Sequence, residues 1–245
     1  MSLIAQGFVH SKFRKLEVHM KLHYLFPLFV LFTAGCSSNM PDKQEIQSVD
    51  SNHYFIDSQF DDDRKGVSWI AKDSASLHFN QFEFTTVSMK SSGVDQHVSK
   101  EVQSQFKAQI HKKMDEKLAG KLQGYKNVVL ENKELDISVK LYDINDIPED
   151  MRVTEFIPVG SVIGAVKYAA GTRDRSIRIL ASVDLKDHDS SQLIGRRIFV
   201  VNDNGVLEND KSEITIEMLD KNVEQITQQA VDFAFEVTYQ DKDQG

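Results

Sequence analysis

The chain has 245 residues, 40% of them hydrophobic and 9% aromatic, and its 29 basic against 37 acidic side chains leave a formal charge of −8. An acidic chain has no general attraction for a phosphate backbone, so nucleic acid is excluded as a partner. One cysteine excludes a disulfide framework, and the fold must hold by its core; the length suits one sizeable core or at most two small ones.

The first element in chain order is the apolar run from Leu22 to Ala34, LHYLFPLFVLFTA, with Lys21 before it and Pro27 inside it. It is too short to span a bilayer, which needs about 20 apolar residues, and Pro27 interrupts a helix hydrogen bond. A basic start, a short apolar core and small residues at the end form the secretory signal layout. Ala34-Gly35-Cys36 supplies those small residues. The stretch LFTAGCSS resembles the lipobox of bacterial lipoproteins, with Thr33 standing where a leucine is usual. The resemblance implies that a signal peptidase reads Thr33, Ala34 and Gly35 and cuts before Cys36. It also implies that the Cys36 thiol is diacylated and its new amino group acylated. Several acyl chains, each worth about 0.8 kcal/mol per buried CH2, give a lasting membrane anchor. Ser37, where an aspartate is absent, implies the outer membrane of a diderm bacterium, with the domain facing the periplasm. The leading MSLIAQGFVHSKFRKLEVH has no uninterrupted apolar core, whereas Met20-Lys21 opens a compact signal. The expected start of translation is therefore Met20.

This divides the chain into a signal peptide at 1–35, a lipidated cysteine and flexible tether at 36–65, one domain at 66–240 and a disordered tail at 241–245. Four basic groups and one acidic group leave with the signal, so the mature chain holds 25 basic against 36 acidic groups, about −11. The tether is polar and without periodicity, and its run Asp61-Asp62-Asp63 reads as a solvated charge run and not as a calcium patch. Tyr54, Phe55 and Phe60 could fold part of it back.

Trp69 and Ile70 are expected to open the ordered domain. The stretch from Leu77 to Ser88, dense in aromatic and β-branched residues, reads as a strand with Phe82 and Phe84 on one face and His78 at its edge. A helix continues from Ser91-Ser92-Gly93 to about Gly120 or Gly124. Its apolar residues Val98, Val102, Phe106, Ile110, Met114, Leu118 and Leu122 recur every fourth position, so the stripe winds slowly round the helix. Tyr125 to Leu130 reads as a short strand. Leu135, Ile137, Val139 and Leu141 alternate with polar residues, as do Ile177, Ile179, Ala181, Val183 and Leu185, with Leu180 the exception. A third strand runs from Arg196 to Val201, and Asp187 to Ser191 and Asn202 to Gly205 both read as hairpin connections. The last helix, from about Asp210 to Val237, sets Leu219, Val223, Ile226, Ala230, Phe233 and Val237 on one face. Phe235 and Tyr239 lie off that line and are expected to wrap the edge of the core. These elements make the fold class α+β, a two-layer sandwich of helices on one face of a mostly antiparallel or mixed sheet.

Between Glu155 and Arg175 the chain reads EFIPVGSVIGAVKYAAGTRDR, a small-residue helix too short to span a membrane and lacking the lysine of a phosphate loop. Together with SIRILASVDLKDHDSSQLIGRR and VLENDKSEITIEML, it resembles a family of uncharacterised bacterial lipoproteins, the domain of unknown function 3313. The likeness spans roughly 69–235. Its most specific part is Gly171-Thr172-Arg173-Asp174, and the pair Arg196-Arg197 belongs to it. A tryptophan expected near Phe233 is missing, and the phenylalanine is expected to take its packing role. The family implies a location and a domain but no reaction. Two readings of the phrase stay open. Arg173, Asp174 and Arg175 could form a charged recognition site, or Gly171 could end the helix while Thr172 or Asp174 caps the next element and the arginines pair with acids.

No residue pattern points to catalysis. The sequence has no His-Glu-x-x-His, no Gly-x-Ser-x-Gly and no histidine pair at ligand spacing among the five histidines beyond Cys36. Asn202-Asp203-Asn204-Gly205 fails as a calcium loop because Lys211 stands where a glutamate is needed. No catalytic residue, metal ligand or cofactor is assigned. The function expected is a non-enzymatic, lipid-anchored periplasmic domain, an envelope accessory that binds a protein. The alternative is a carrier of lipid or another small apolar ligand, with a pocket lined by Val159, Ile163, Phe106 or Phe82, and a hydrolase is less favoured.

Overall fold

The computed structural model describes residues 40–59, 65–72, 74, 79–90, 98–123, 133–148, 175–207 and 213–239. The described residues all lie in the compact unit Ser38–Gly245. Its elements are α1 (Lys43–Val49), β1 (Ile56–Gln59), β2 (Lys65–Ile70), β3 (Gln81–Met89), α2 (Lys100–Gln123), β4 (Glu134–Pro148), β5 (Arg175–Asp187), β6 (Leu193–Leu207) and α3 (Asp220–Thr238). The strands form one six-stranded sheet in the order β1-β2-β6-β5-β4-β3. All neighbours are antiparallel except β3 and β4, which run parallel and are linked in sequence through α2. Parallel neighbours need such a crossover, because no hairpin can join them. The fold is α+β with a mixed sheet.

The alternating strands behave as period two requires. Leu135, Ile137, Val139 and Leu141 of β4 and Ile177, Ile179, Ala181, Val183 and Leu185 of β5 are buried in one core, together with α2 and α3. All seven residues of the α2 stripe pack into that core, Val98, Phe106, Ile110, Met114 and Leu118 buried and Val102 and Leu122 partly so. From α3 and the turn before it, Leu219, Val223, Ile226, Ala230, Phe233 and Val237 join them. Phe235 wraps the edge: its ring stacks on Phe82 at 4.9 Å and on Tyr239 at 5.4 Å, and Lys121 Nζ lies 4.9 Å from its centroid. Lys117 of α2 meets Glu224 of α3, and Lys121 meets Asp232 at 2.7 Å, which joins the two helices at their rim.

The second face of the sheet is covered too. Leu180 points away from the main core and packs with Val67, Ile198 and Val200. Met40, Ile46, Val49, Phe55 and Tyr142 close over this smaller cluster. Helices therefore pack on both faces, two long ones on one side and α1 on the other, where a one-faced arrangement was expected. The flexible tether expected at 36–65 is corrected for most of its length. Asp42 caps α1 by accepting from the N–H groups of Gln44 at 2.7 Å and Glu45 at 2.8 Å, and the Glu45 carboxylate accepts in turn from the Asp42 N–H. This reciprocal box makes a seven-residue helix start where it does. β1 then pairs with β2 from Ile56↔Ser68 to Gln59↔Lys65. The acidic run 61–63 lies outside the described residues.

Two further expectations change. Asn202–Gly205 is not a hairpin turn: it lies inside β6, where Asn202 pairs with Arg178 and Asp203 with Ile177 on β5. Turn-forming residue types there are overridden by pairing to a long neighbour, with a register irregularity next to them. The final helix starts at Asp220, after a single 3-10 turn at Glu217–Leu219, and not near Asp210. Asp187 to Ser191 is the hairpin connection between β5 and β6. Asp187 Oδ1 accepts from the Ser190 N–H and hydroxyl, both at 2.7 Å, and Ser191 takes φ 57°. The strand expected at 125–130, the small-residue helix at 155–170, and the positions of His78 and His97 lie outside the described residues.

Candidate functional site

The polar residues of β4, β5 and β6 that face α1 form a charged row. Lys140, Asp184 and Arg196 stand on three adjacent strands, brought side by side by the pairings Lys140↔Ser182, Ser138↔Asp184 and Asp184↔Arg196. Asp184 is fully buried and receives Lys140 Nζ at 2.7 Å and Arg196 through Nε and Nη2. Arg196 turns its remaining terminal nitrogen to Asp50, just past α1, at 2.6 Å. Asp50 also pairs with His53 Nδ1 at 2.7 Å and accepts from the Asn52 N–H at 2.8 Å. Farther along β5, Arg178 forks onto both carboxylate oxygens of Glu45 in α1, the longer contact being 2.9 Å. Two charged clasps, Glu45–Arg178 and Asp50–Arg196, thus flank the apolar contacts of Ile46 and Val49. Residues 40–59 form a strap bound across the sheet.

Burial raises the Asp184 carboxyl, but the hydrogen bonds and charges of Arg196 and Lys140 outweigh it and hold it below the ordinary carboxylate value. Asp50 shows the same balance: burial acts upward, and His53, the Asn52 N–H and Arg196 bring the carboxyl down. For Arg196 burial acts against the charge, and Asp184 with Asp50 keeps it charged. The row is balanced internally, which is how buried charges persist. His53 continues the strap to Trp69 of β2, the only tryptophan, with ring centroids 3.9 Å apart. Beside this pair an open groove is lined by His53, Tyr54, Trp69, Ala71, Lys72 and Gln192 among others.

The adjacent Arg196 and Arg197 point to opposite faces. Arg197 is fully buried under α3, with Nε donating to Ser68 Oγ at 3.1 Å, Nη2 meeting Glu236, and the guanidinium 4.4 Å from the Phe233 ring. Gly195 lies under the same ring, and a Cβ there would come 3.1 Å from Phe233 Cζ. One arginine of the pair locks the strap and the other locks the last helix.

A third grouping lies at one end of the sheet. Glu83 of β3 and Asp136 of β4 are register partners, and His188 comes directly after β5. Their ligand atoms all lie within 4.8 Å of one another. His188 Nδ1 is 2.8 Å from Asp136 Oδ1 and 4.0 Å from Glu83 Oε2, and its backbone N–H donates to the Glu134 carbonyl at 3.0 Å. The hydrogen bond to Asp136 raises the imidazole's proton affinity. Two carboxylates and an imidazole are a donor set for a divalent cation. Here they satisfy one another as an exposed ion-pair cluster.

Of the residues singled out from the sequence, Thr33, Ala34, Gly35 and Cys36 lie outside the described residues, as do Gly171, Thr172, Arg173 and Asp174. Arg175 opens β5, its backbone placed between Pro148 of β4 and Leu207 of β6. Phe106 and Phe82, which the alternative ligand-carrier reading would need as pocket lining, sit in the packed core and on Phe235. Val159 and Ile163 lie outside the described residues. The charged row went unread in the sequence because its members, residues 50, 140, 184 and 196, meet only through strand register. No described helix is long and apolar enough to cross a membrane.

A family model described as "Protein of unknown function (DUF3313)" matches residues 49–202. No curated protein matches the chain. The matched span begins one residue before Asp50 and ends one residue after Val201, so it contains every member of the charged row. The chain belongs to this DUF3313 family.

Proposed function

From this family membership and the lipobox-like leader, we propose that the chain is a lipid-anchored accessory domain of a bacterial outer membrane. It faces the periplasm and works by binding an envelope protein, with no catalysis of its own. The observation that supports binding of a protein over carriage of a small apolar ligand is the closed core. Phe106 has no exposed surface, Phe82 is covered by Phe235, and β4, β5, α2 and α3 interdigitate around them. A carrier needs an apolar cavity of a few hundred Å3, and the described positions best placed to line one are filled with protein side chains. The anchor rests on LFTAGCSS, in which the one thiol comes after the small pair Ala34-Gly35.

In vivo crosslinking of the tethered protein, followed by identification of what is caught, tests the partner. A specific envelope protein enriched over an unrelated lipoprotein control is expected. Recovery of abundant porins and bulk lipoproteins at the control level overturns the reading. Replacing Cys36 with alanine tests the anchor, since persistence of tight membrane fractionation contradicts it.

A further inference from the structure

We propose that Glu83, Asp136 and His188 form a surface site for a d-block divalent cation such as zinc, held by these three donors with solvent completing its shell. They come from three elements: Glu83 from β3, Asp136 from β4 and His188 from the connection between β5 and β6. Strand register sets two of them, since Glu83 and Asp136 are partners across the parallel pair of β3 and β4. His188 is set by its backbone. Its N–H donates to the Glu134 carbonyl at 3.0 Å, and the Ser191 N–H closes the turn on the Asp187 carbonyl at 2.8 Å. Donors fixed by strands and a closed turn need little reordering to take up an ion.

In a tetrahedral site with metal–ligand distances of about 2.0–2.1 Å, neighbouring donors stand roughly 3.3 Å apart. The observed separations lie on either side of that value. His188 Nδ1 is 2.8 Å from Asp136 Oδ1 and 4.0 Å from Glu83 Oε2, and all three donor atoms fall within 4.8 Å of one another. Side-chain shifts of about 1 Å close the difference. One imidazole with two carboxylates suits zinc and its neighbours better than calcium, which takes roughly six to eight oxygens. The charges also call for a cation. Carboxylates at facing positions on neighbouring strands repel one another, and Glu134 adds a third acting on the same imidazole. Lys186, opposite Asp136 on β5, offsets one of the three. A proton on His188 offsets another through the contact with Asp136; a divalent ion takes the place of that proton and meets both carboxylates at once. The side chains of His188, Glu83 and Asp136 are 46%, 53% and 24% exposed, so a hydrated ion reaches them. His111 and Asp115 are the contrasting case, an exposed pair 3.3 Å apart on α2 that belongs to no such three-donor group among the described residues.

The test titrates zinc chloride, by isothermal calorimetry, into the full chain purified in detergent and stripped of metal with a chelator. Wild type is expected to show a single site. His188→Ala, and Glu83→Gln combined with Asp136→Asn, should each weaken it by about tenfold or more, while His111→Ala leaves it unchanged. Saturating zinc should raise the thermal midpoint of wild type and not that of His188→Ala, because the ion binds the folded chain alone. X-ray absorption of the zinc-loaded wild type is a readout that needs no variant, and one imidazole among oxygen neighbours at about 2.0–2.1 Å is expected. Three results show an ion-pair cluster only and overturn the proposal: no binding up to about 1 mM zinc, equal affinity in wild type and His188→Ala, or a spectrum without imidazole scattering. Loss of the site in His111→Ala moves it to α2 and overturns the proposal as well.

Discussion

Replacing Asp50 with alanine removes the carboxylate that joins the strap to the charged row. Its side chain is 2% exposed and is met by Arg196 at 2.6 Å, His53 at 2.7 Å and the Asn52 N–H at 2.8 Å. Hydrogen bonds to a charged group are each worth about 1.5–3 kcal/mol net and a neutral one about 1. The full sum is not lost, because Arg196 keeps both of its contacts to Asp184 and His53 reaches solvent. The expected cost is therefore about 3 kcal/mol. For a domain of this size it lowers the melting temperature by about 6–12 °C. Thermal unfolding measured by circular dichroism reads that shift, and Trp69 emission supplies an independent local readout. His53 is positioned by Asp50 and packs against the indole, so the native emission spectrum is expected to change as well. A melting temperature within about 2 °C of wild type, with unchanged Trp69 emission, would refute the claim that Asp50 holds the strap.

Acid is expected to act on the same groups. Both Asp50 and Asp184 have folded-state proton affinities below their ordinary value of 3.8, so the unfolded chain binds protons first as pH falls. Their contribution is fully present above the unfolded value and is lost as pH drops through the folded ones. Urea midpoints should be flat with respect to these two groups above about pH 5 and fall below about pH 4; a midpoint that holds constant in wild type down to about pH 3 would show that they are not paired. Asp184→Asn keeps the shape but takes the carboxylate from Lys140 and leaves Arg196 with Asp50. A loss of about 3–5 kcal/mol is expected by urea titration, and a loss below about 1 kcal/mol would mean that the row is not a buried pair. Gly195→Ala pushes a methyl against Phe233 and the Trp69 carbonyl. It should cost about 1–3 kcal/mol through overpacking, whereas a neutral result would mean that α3 can shift on the sheet.

The elements legible in advance are those written in local periodicity. The alternation of β4 and β5, the every-fourth stripe of α2 and the one-sided face of α3 each bury the residues their spacing selects. Leu180, an exception when one core is assumed, belongs to a second cluster on the other face. The strap was missed for a physical reason. α1 has seven residues and none of them is buried outright, so it carries no apolar stripe. It is held by Glu45 and Asp50 on arginines 133 and 146 residues away. Such clasps depend on which side of a strand each arginine faces, and that is settled by pairing, not by composition. Glu83, Asp136 and His188 were invisible for the same reason. Asn202–Gly205 shows the converse, turn-forming residues held in a strand by an ordered neighbour.

The central proposal, that this DUF3313 domain is carried on a lipid, begins at one atom, the Cys36 sulfur. Intact-mass and peptide mass spectrometry of the protein purified from bacterial membranes measures that atom directly. The account predicts a mature chain beginning at Cys36, with diacylglycerol on sulfur and an acyl chain on the amino group. A chain that begins elsewhere, or an unmodified Cys36 thiol, would contradict it.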